Sequence, residues 1–108
     1  MTLNEVYTML TGISGFTGKV AYHAFPAGEA PELPFLCYVE NGTDNFAADN
    51  IVYFAAKEID IELYTQDKDP TTEQTVESAL ATAGVFWTKT EQYINDEKCW
   101  MITYTIGV

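Results

Sequence analysis

Arginine is absent from this 108-residue sequence, and cations of any kind are scarce: five lysines stand against sixteen acidic residues, for a net charge of −11. Affinity for a polyphosphate comes largely from cations that displace its counterions. Arginine is also the main bidentate reader of guanine and phosphate. The composition therefore argues against a nucleic-acid grip. It leaves open a basic partner, or a polyanion that the protein must not hold. Histidine is nearly missing too, since His23 stands alone. A histidine base needs an orienting carboxylate and a nearby nucleophile, and no serine or cysteine occupies a recognisable nucleophile turn. His23 reads as structural, and no enzyme is expected. Cys37 and Cys99 lie outside any CxxC or histidine cluster. They read as buried thiols of a reducing cytoplasm, with a disulfide left open. No run approaches the roughly 18 apolar residues of a membrane span. The opening "MTLNEVYTML" lacks the basic start and long apolar run of a signal peptide. The expectation is a soluble protein without a membrane partner, made and kept or assembled inside a cell.

What is present is core material. Hydrophobic residues make up 47% of the chain, enough for one packed domain over residues 1–108. In "TLNEVYTML", Thr2 and Glu5 have capping-box spacing, and Leu3, Val6, Tyr7, Leu10 and Ile13 recur on one face. "TGISGFTG" ends that helix. Residues 19–25 read as a strand with Val20 and Tyr22 on one side. "PAGEAPELP" holds three of the four prolines and reads as a stiff surface connector. A strand over 35–40 leads into a polar loop over 41–50, with Phe46 at its centre. Residues 51–65 form the longest strand candidate. Asp69 then caps a helix that has Pro70 at its first position, Val76, Ala79, Leu80 and Ala83 on one face, and Gly84 at its end. Strands over 85–94 and 98–106 follow, joined by a turn near Asn95 and Asp96. The order α-β-β-β-α-β-β predicts an α+β fold: a twisted, mostly antiparallel sheet of about five strands, with two helices packed on one face.

In "KEIDIELYTQDKDP", Glu58, Asp60 and Glu62 alternate with Ile59, Ile61 and Leu63. Alternation of this kind puts the acids on the wet face of a sheet and the aliphatics toward the helices. Asp67, Asp69 and Thr71 imitate the start of a calcium loop, but its glycine position is Thr72 and its glutamate position is Ser78, which rules out an EF-hand. The glycines of "GISGFTG" have the wrong spacing and follow a helix, so no phosphate cradle is expected. A divalent ion gathered by Asp44, Asp49 and the 58–62 acids at a subunit boundary remains an alternative. "NGT" at 41–43 matches a glycosylation sequon, which carries weight only in a secreted protein. Aromatic content is high at 14%, more than a small two-layer domain hides. Exposed aromatics of that kind anchor contacts with other protein.

The segments "FPAGEAPELPFLCYVENGTDNFAADN", "KEIDIELYTQDKDP" and "FWTKTEQYINDEKCWMITYTIGV" resemble small proteins of long-tailed bacteriophages and prophages. These are tail-completion, tail-terminator or head–tail joining proteins, some labelled minor capsid proteins. The likeness runs from about Val20 to Val108. It implies a ring, expected to be hexameric, that caps the major tail tube protein and meets a head–tail connector protein. No catalytic residue and no cofactor is implied. Localisation would be the virion tail or neck, after assembly in the host bacterial cytoplasm. DNA would pass through the ring without specific binding. On that reading Asp44, Asp49, Glu58, Asp60 and Glu62 are candidates to line the channel. Phe46, Pro31 and Pro34, in the polar loop and the proline-rich connector, are candidates for subunit contacts. A head–tail connector or other neck protein is the second reading, and a small cytoplasmic ligand-binding module the third.

Overall fold

The computed structural model describes the backbone of residues 1–48 and 51–107, and the side chains of residues 1–41 and 58–107. Its elements run α1 (Leu3–Thr11), β1 (Val20–Tyr22), β2 (Phe35–Ala48), β3 (Ile51–Thr65), α2 (Pro70–Thr82), β4 (Trp87–Ile94) and β5 (Cys99–Gly107). The architecture is the expected α+β class: two helices and a five-stranded sheet in the order β1-β2-β3-β5-β4. The β2–β3, β3–β5 and β5–β4 pairs are antiparallel, and only the short β1 runs parallel to its neighbour β2.

Local chemistry sets the helix ends. At α1 the Thr2 N–H donates to Glu5 Oε1 (2.9 Å) and the Glu5 N–H donates to Thr2 Oγ1 (3.1 Å), a reciprocal capping box. At α2 the Asp69 carboxylate accepts from the Thr72 N–H and hydroxyl (3.2 and 2.6 Å), which holds its pKa below the usual range. Gly84, in the left-handed region at φ 75°, turns the chain out of that helix.

Both helices cover one face of the sheet. Val6, Leu10, Ile13 and Phe16 come down from α1 and its exit, Val76 and Leu80 from α2. They meet Leu36, Tyr38, Ile59, Ile61, Leu63, Ile102, Tyr104 and Ile106 of the sheet. Cross-strand register aligns these residues, with Leu36 opposite Leu63 and Leu63 opposite Ile102. Period-two alternation therefore defines the core side of every central strand.

Three sequence-based boundaries and one buried face change. β1 stops at Tyr22 because His23 takes a positive φ of 68°, its N–H donating to the Tyr38 carbonyl (2.7 Å). The expected strand over 19–25 is thus cut short. Residues 41–48 are strand, not loop, because β2 keeps pairing with β3 as far as Ala48 opposite Ile51. Continuous hairpin pairing outweighs the weak strand preference of Asn, Gly and Asp there. On α2, Ala83 is exposed and Glu73, one turn before Val76, takes a buried place instead. Finally, the last turn spans residues 95–98, with Lys98 at φ 51°.

The long hairpin gives the molecule its shape. β5 pairs with β3 only from Glu58 to Thr65, whereas β2 and β3 pair from Phe35–Tyr64 to Ala48–Ile51, with register shifts at Glu40/Gly42 and Phe46/Ala47. Residues 42–48 and 51–57 therefore form a two-stranded ribbon extending past the five-stranded body, and the long axis reaches 49 Å against 29 and 24 Å across.

Candidate functional site

The sheet face turned away from the helices carries Phe35, Cys37 and Val39 of β2, and Glu58, Asp60, Glu62 and Tyr64 of β3. Thr103 and Thr105 of β5 and Thr88 and Thr90 of β4 continue it. Glu58, Asp60 and Glu62 are half-buried while Ile59, Ile61 and Leu63 are fully buried, so the acids occupy the outer face, as their alternation implies. The Thr105 hydroxyl donates to Asp60 Oδ1 (2.6 Å) and the Tyr64 hydroxyl to Glu62 Oε1 (3.0 Å). Among the described strand residues of this face there is no lysine. The fixed charge of these residues is negative, and two of the carboxylates, Asp60 and Glu62, accept from neutral donors.

The cations are elsewhere. Glu73, with only 2% of its surface exposed, receives Lys68 at 2.6 Å and Lys89 at 2.6 Å. Lys89 also reaches Glu77 (2.9 Å), and Lys68 reaches Glu91 (3.0 Å). The Tyr104 hydroxyl donates to Glu77 Oε2 at 2.7 Å, closing the network over the core. Burial by itself raises the Glu73 pKa, but the hydrogen bonds from Lys68 and Lys89 outweigh it and hold the carboxyl below its ordinary range. Both lysines are pushed up, chiefly by their bonds to Glu73. Burial, then the Glu77 hydrogen bond, pushes the Tyr104 phenol well above its usual value. Sequence reasoning missed this cluster. Its signal was the spacing of Glu73, Val76 and Leu80, which puts a carboxylate on the apolar stripe of α2.

The candidate contact residues fall into two places. Pro31 and Pro34 are half-buried in the connector, and Leu33 and Pro34 border a shallow cavity of about 220 Å³ with Thr65 and Asp69, at the end of the body where α2 begins. Phe46 lies in the ribbon, level with Phe54 in the register, so β2 separates it from Pro34 by roughly 35 Å. Asp44 is also in the ribbon, opposite Ala56. The side chains of Phe46 and Asp44, and all of Asp49, lie outside the described residues. The structure thus groups Glu58, Asp60 and Glu62 on one face and puts the proline connector at the far end from the ribbon.

Exposed His23 borders a cavity of about 300 Å³ with Phe25, Phe35, Cys37, Tyr64 and Glu97. Burial, followed by the Glu62 charge, raises the Cys37 thiol to about 11, which leaves it a weak nucleophile. Cys37 is opposite Glu62 and Glu62 opposite Thr103, four residues along β5 from Cys99. Two strand spacings alone part the cysteines by roughly 10 Å, too far for a disulfide within the chain. Both thiols are free and buried. Among the described residues no three His, Cys, Asp or Glu side chains gather as a metal site, and no helix is long and apolar enough to cross a membrane.

The aromatics divide between inside and outside. Phe16, Tyr38 and Tyr104 are buried, while Phe86 is 94% exposed beside Trp87 at the start of β4. β4 begins opposite Ile106 at the end of the body from which the ribbon leaves. The chain matches no protein-family model and no curated protein.

Proposed function

We propose that this protein is a structural virion assembly protein of a phage or prophage, a ring subunit that caps the tail tube and joins it to the head. The observation that carries the reading is the ribbon. A two-stranded hairpin is marginally stable alone in water, and one projecting past a compact body gains stability when a neighbouring subunit covers it. The outer acidic face supports the same reading. A lumen through which DNA moves needs fixed negative charge and few cations, and Glu58, Asp60 and Glu62 offer that on a face with no described strand lysine. Phe86, almost wholly exposed, adds an apolar anchor at the ribbon end of the body.

Microscopy of particles made without the gene tests the proposal. Tails of irregular length that fail to join heads are expected. Normal tails beside leaking heads would move the protein to the connector position, and normal particles would overturn the proposal. Lysine at Glu58, Asp60 and Glu62 together is expected to raise DNA retention by purified rings. Unchanged retention would remove these acids from the channel.

A further inference from the structure

β4 is an edge strand with nothing beside it among the described residues, and its eight residues pair with β5 in unbroken register. Such an edge presents a row of unpaired N–H and C=O groups and is a template for another strand. Proteins commonly blunt an edge with proline, a bulge or charged side chains, of which β4 carries two, Lys89 and Glu91. β4 has no proline, no register shift and no free charge: Lys89 is held by Glu73 and Glu77, and Glu91 by Lys68. The residues of its other face, Thr88, Thr90 and Gln92, are neutral and exposed.

A second free edge lies on the opposite side of the sheet. β1 pairs with β2 only at Leu36, Cys37 and Tyr38. From Val39 to Ala48 the outer edge of β2 has no partner among the described residues, and its register with β3 shifts at Glu40/Gly42 and Phe46/Ala47, which leaves an even ladder from Gly42 to Phe46 at its centre.

We infer that neighbouring copies join by pairing the β4 edge of one subunit with the β2 edge, residues 39–48, of the next. The inference rests on the ring reading above and names its interface. Strand direction selects these two edges. β2 and β5 run one way and β3 and β4 the other, so a β4 brought beside β2 in a continued sheet is antiparallel to it. The ribbon edge of β3 opens on the same side of the sheet as the β4 edge, so equally oriented copies cannot pair there. The edges also match in length, eight residues against ten. Because the edges differ, the contact is head-to-tail, the kind that closes into rings. β1 blocks the lower part of β2 and forces each β4 toward the ribbon, displaced by roughly 20 Å along the strands. A constant stagger of this sort is what a closed, tilted-strand sheet requires.

Thr90 and Thr43 sit near the middles of the two edges, and cysteines there provide the test. Rings of the Thr90→Cys, Thr43→Cys double variant, treated with a short bismaleimide, are expected to give a ladder of linked multimers on a denaturing gel. Each single variant is expected to stay unlinked. Thr90→Cys chains that link to each other as dimers would indicate two-fold β4 pairing and overturn the inference. Intact rings without a ladder would overturn it as well while leaving the tail assignment standing, since that depends on the particle microscopy. As an independent measure, the amides of β4 should exchange at least tenfold more slowly in rings than in dispersed chains. Equal rates would count against the pairing.

Discussion

Between Phe35 and Glu40, and again between Ile59 and Thr65, the hairpin of β2 and β3 lies inside a five-stranded sheet and turns Leu36, Tyr38, Ile59, Ile61 and Leu63 toward the helices. Between Gly42 and Lys57 the same two strands pair with each other alone. The body is held by burial, whereas the ribbon's backbone is paired by a ladder of hydrogen bonds each worth only about 1 kcal/mol net. One hairpin thus has a half built into the five-stranded sheet and a half that pairs only with itself among the described residues.

The comparison breaks most visibly in amide exchange on the dispersed chain. Ribbon amides should exchange on the order of a thousandfold faster than those of Ile61 and Ile102, which open only with global unfolding. Equal protection would mean that the ribbon is part of the cooperative unit. Next in size, Leu63→Ala removes a wholly buried side chain from the centre of the sheet and should cost about 3 kcal/mol in denaturant unfolding. A loss under 1 kcal/mol would show a body far looser than its packing.

A smaller effect, about 2 kcal/mol, is expected from Glu73→Gln, because Lys68 and Lys89 keep Glu91 and Glu77 as second partners. The pH dependence has a definite sign. Glu73 titrates below its ordinary 4.5 in the folded chain, so its contribution is present above that pH and is lost as pH falls through the lower folded value. Lys68 and Lys89 are raised above 10.5, and what they add is lost only as pH climbs past that value. Acid melts of wild type and variant should therefore converge below pH 4.5. Curves that stay parallel there would remove Glu73 from the linkage. The smallest effect on the monomer is that of Phe46→Ser, below about 0.5 kcal/mol, with ring or tube association weakened at the same time. A large loss of monomer stability would place Phe46 in the core.

Alternation made the central strands legible, because a side-chain period of two has a direct consequence for burial. Glu58, Asp60 and Glu62 could be assigned to the wet face before any coordinates, as could Asp69 and Thr2 to their caps. The polar stretch 41–48 misled for a physical reason: Asn, Gly and Asp are poor strand formers locally, yet their backbones pair when the opposite strand continues. Glu73 was hidden because a buried carboxylate is rare unless paired, and its partners come from the loop before α2 and from the edge strand β4.

Local order is therefore what the amino-acid sequence determined unaided: helix caps, the two faces of β3, the acidic balance and the α+β class. These depend on neighbours a few residues apart or on sums over the chain. Tertiary structure alone decided the parallel placement of β1, the length of the ribbon, the gathering of Lys68 and Lys89 on Glu73, and the two free edges of the sheet. Each is a contact, or an unmet contact, between segments far apart in the chain, where sequence spacing carries no information about distance.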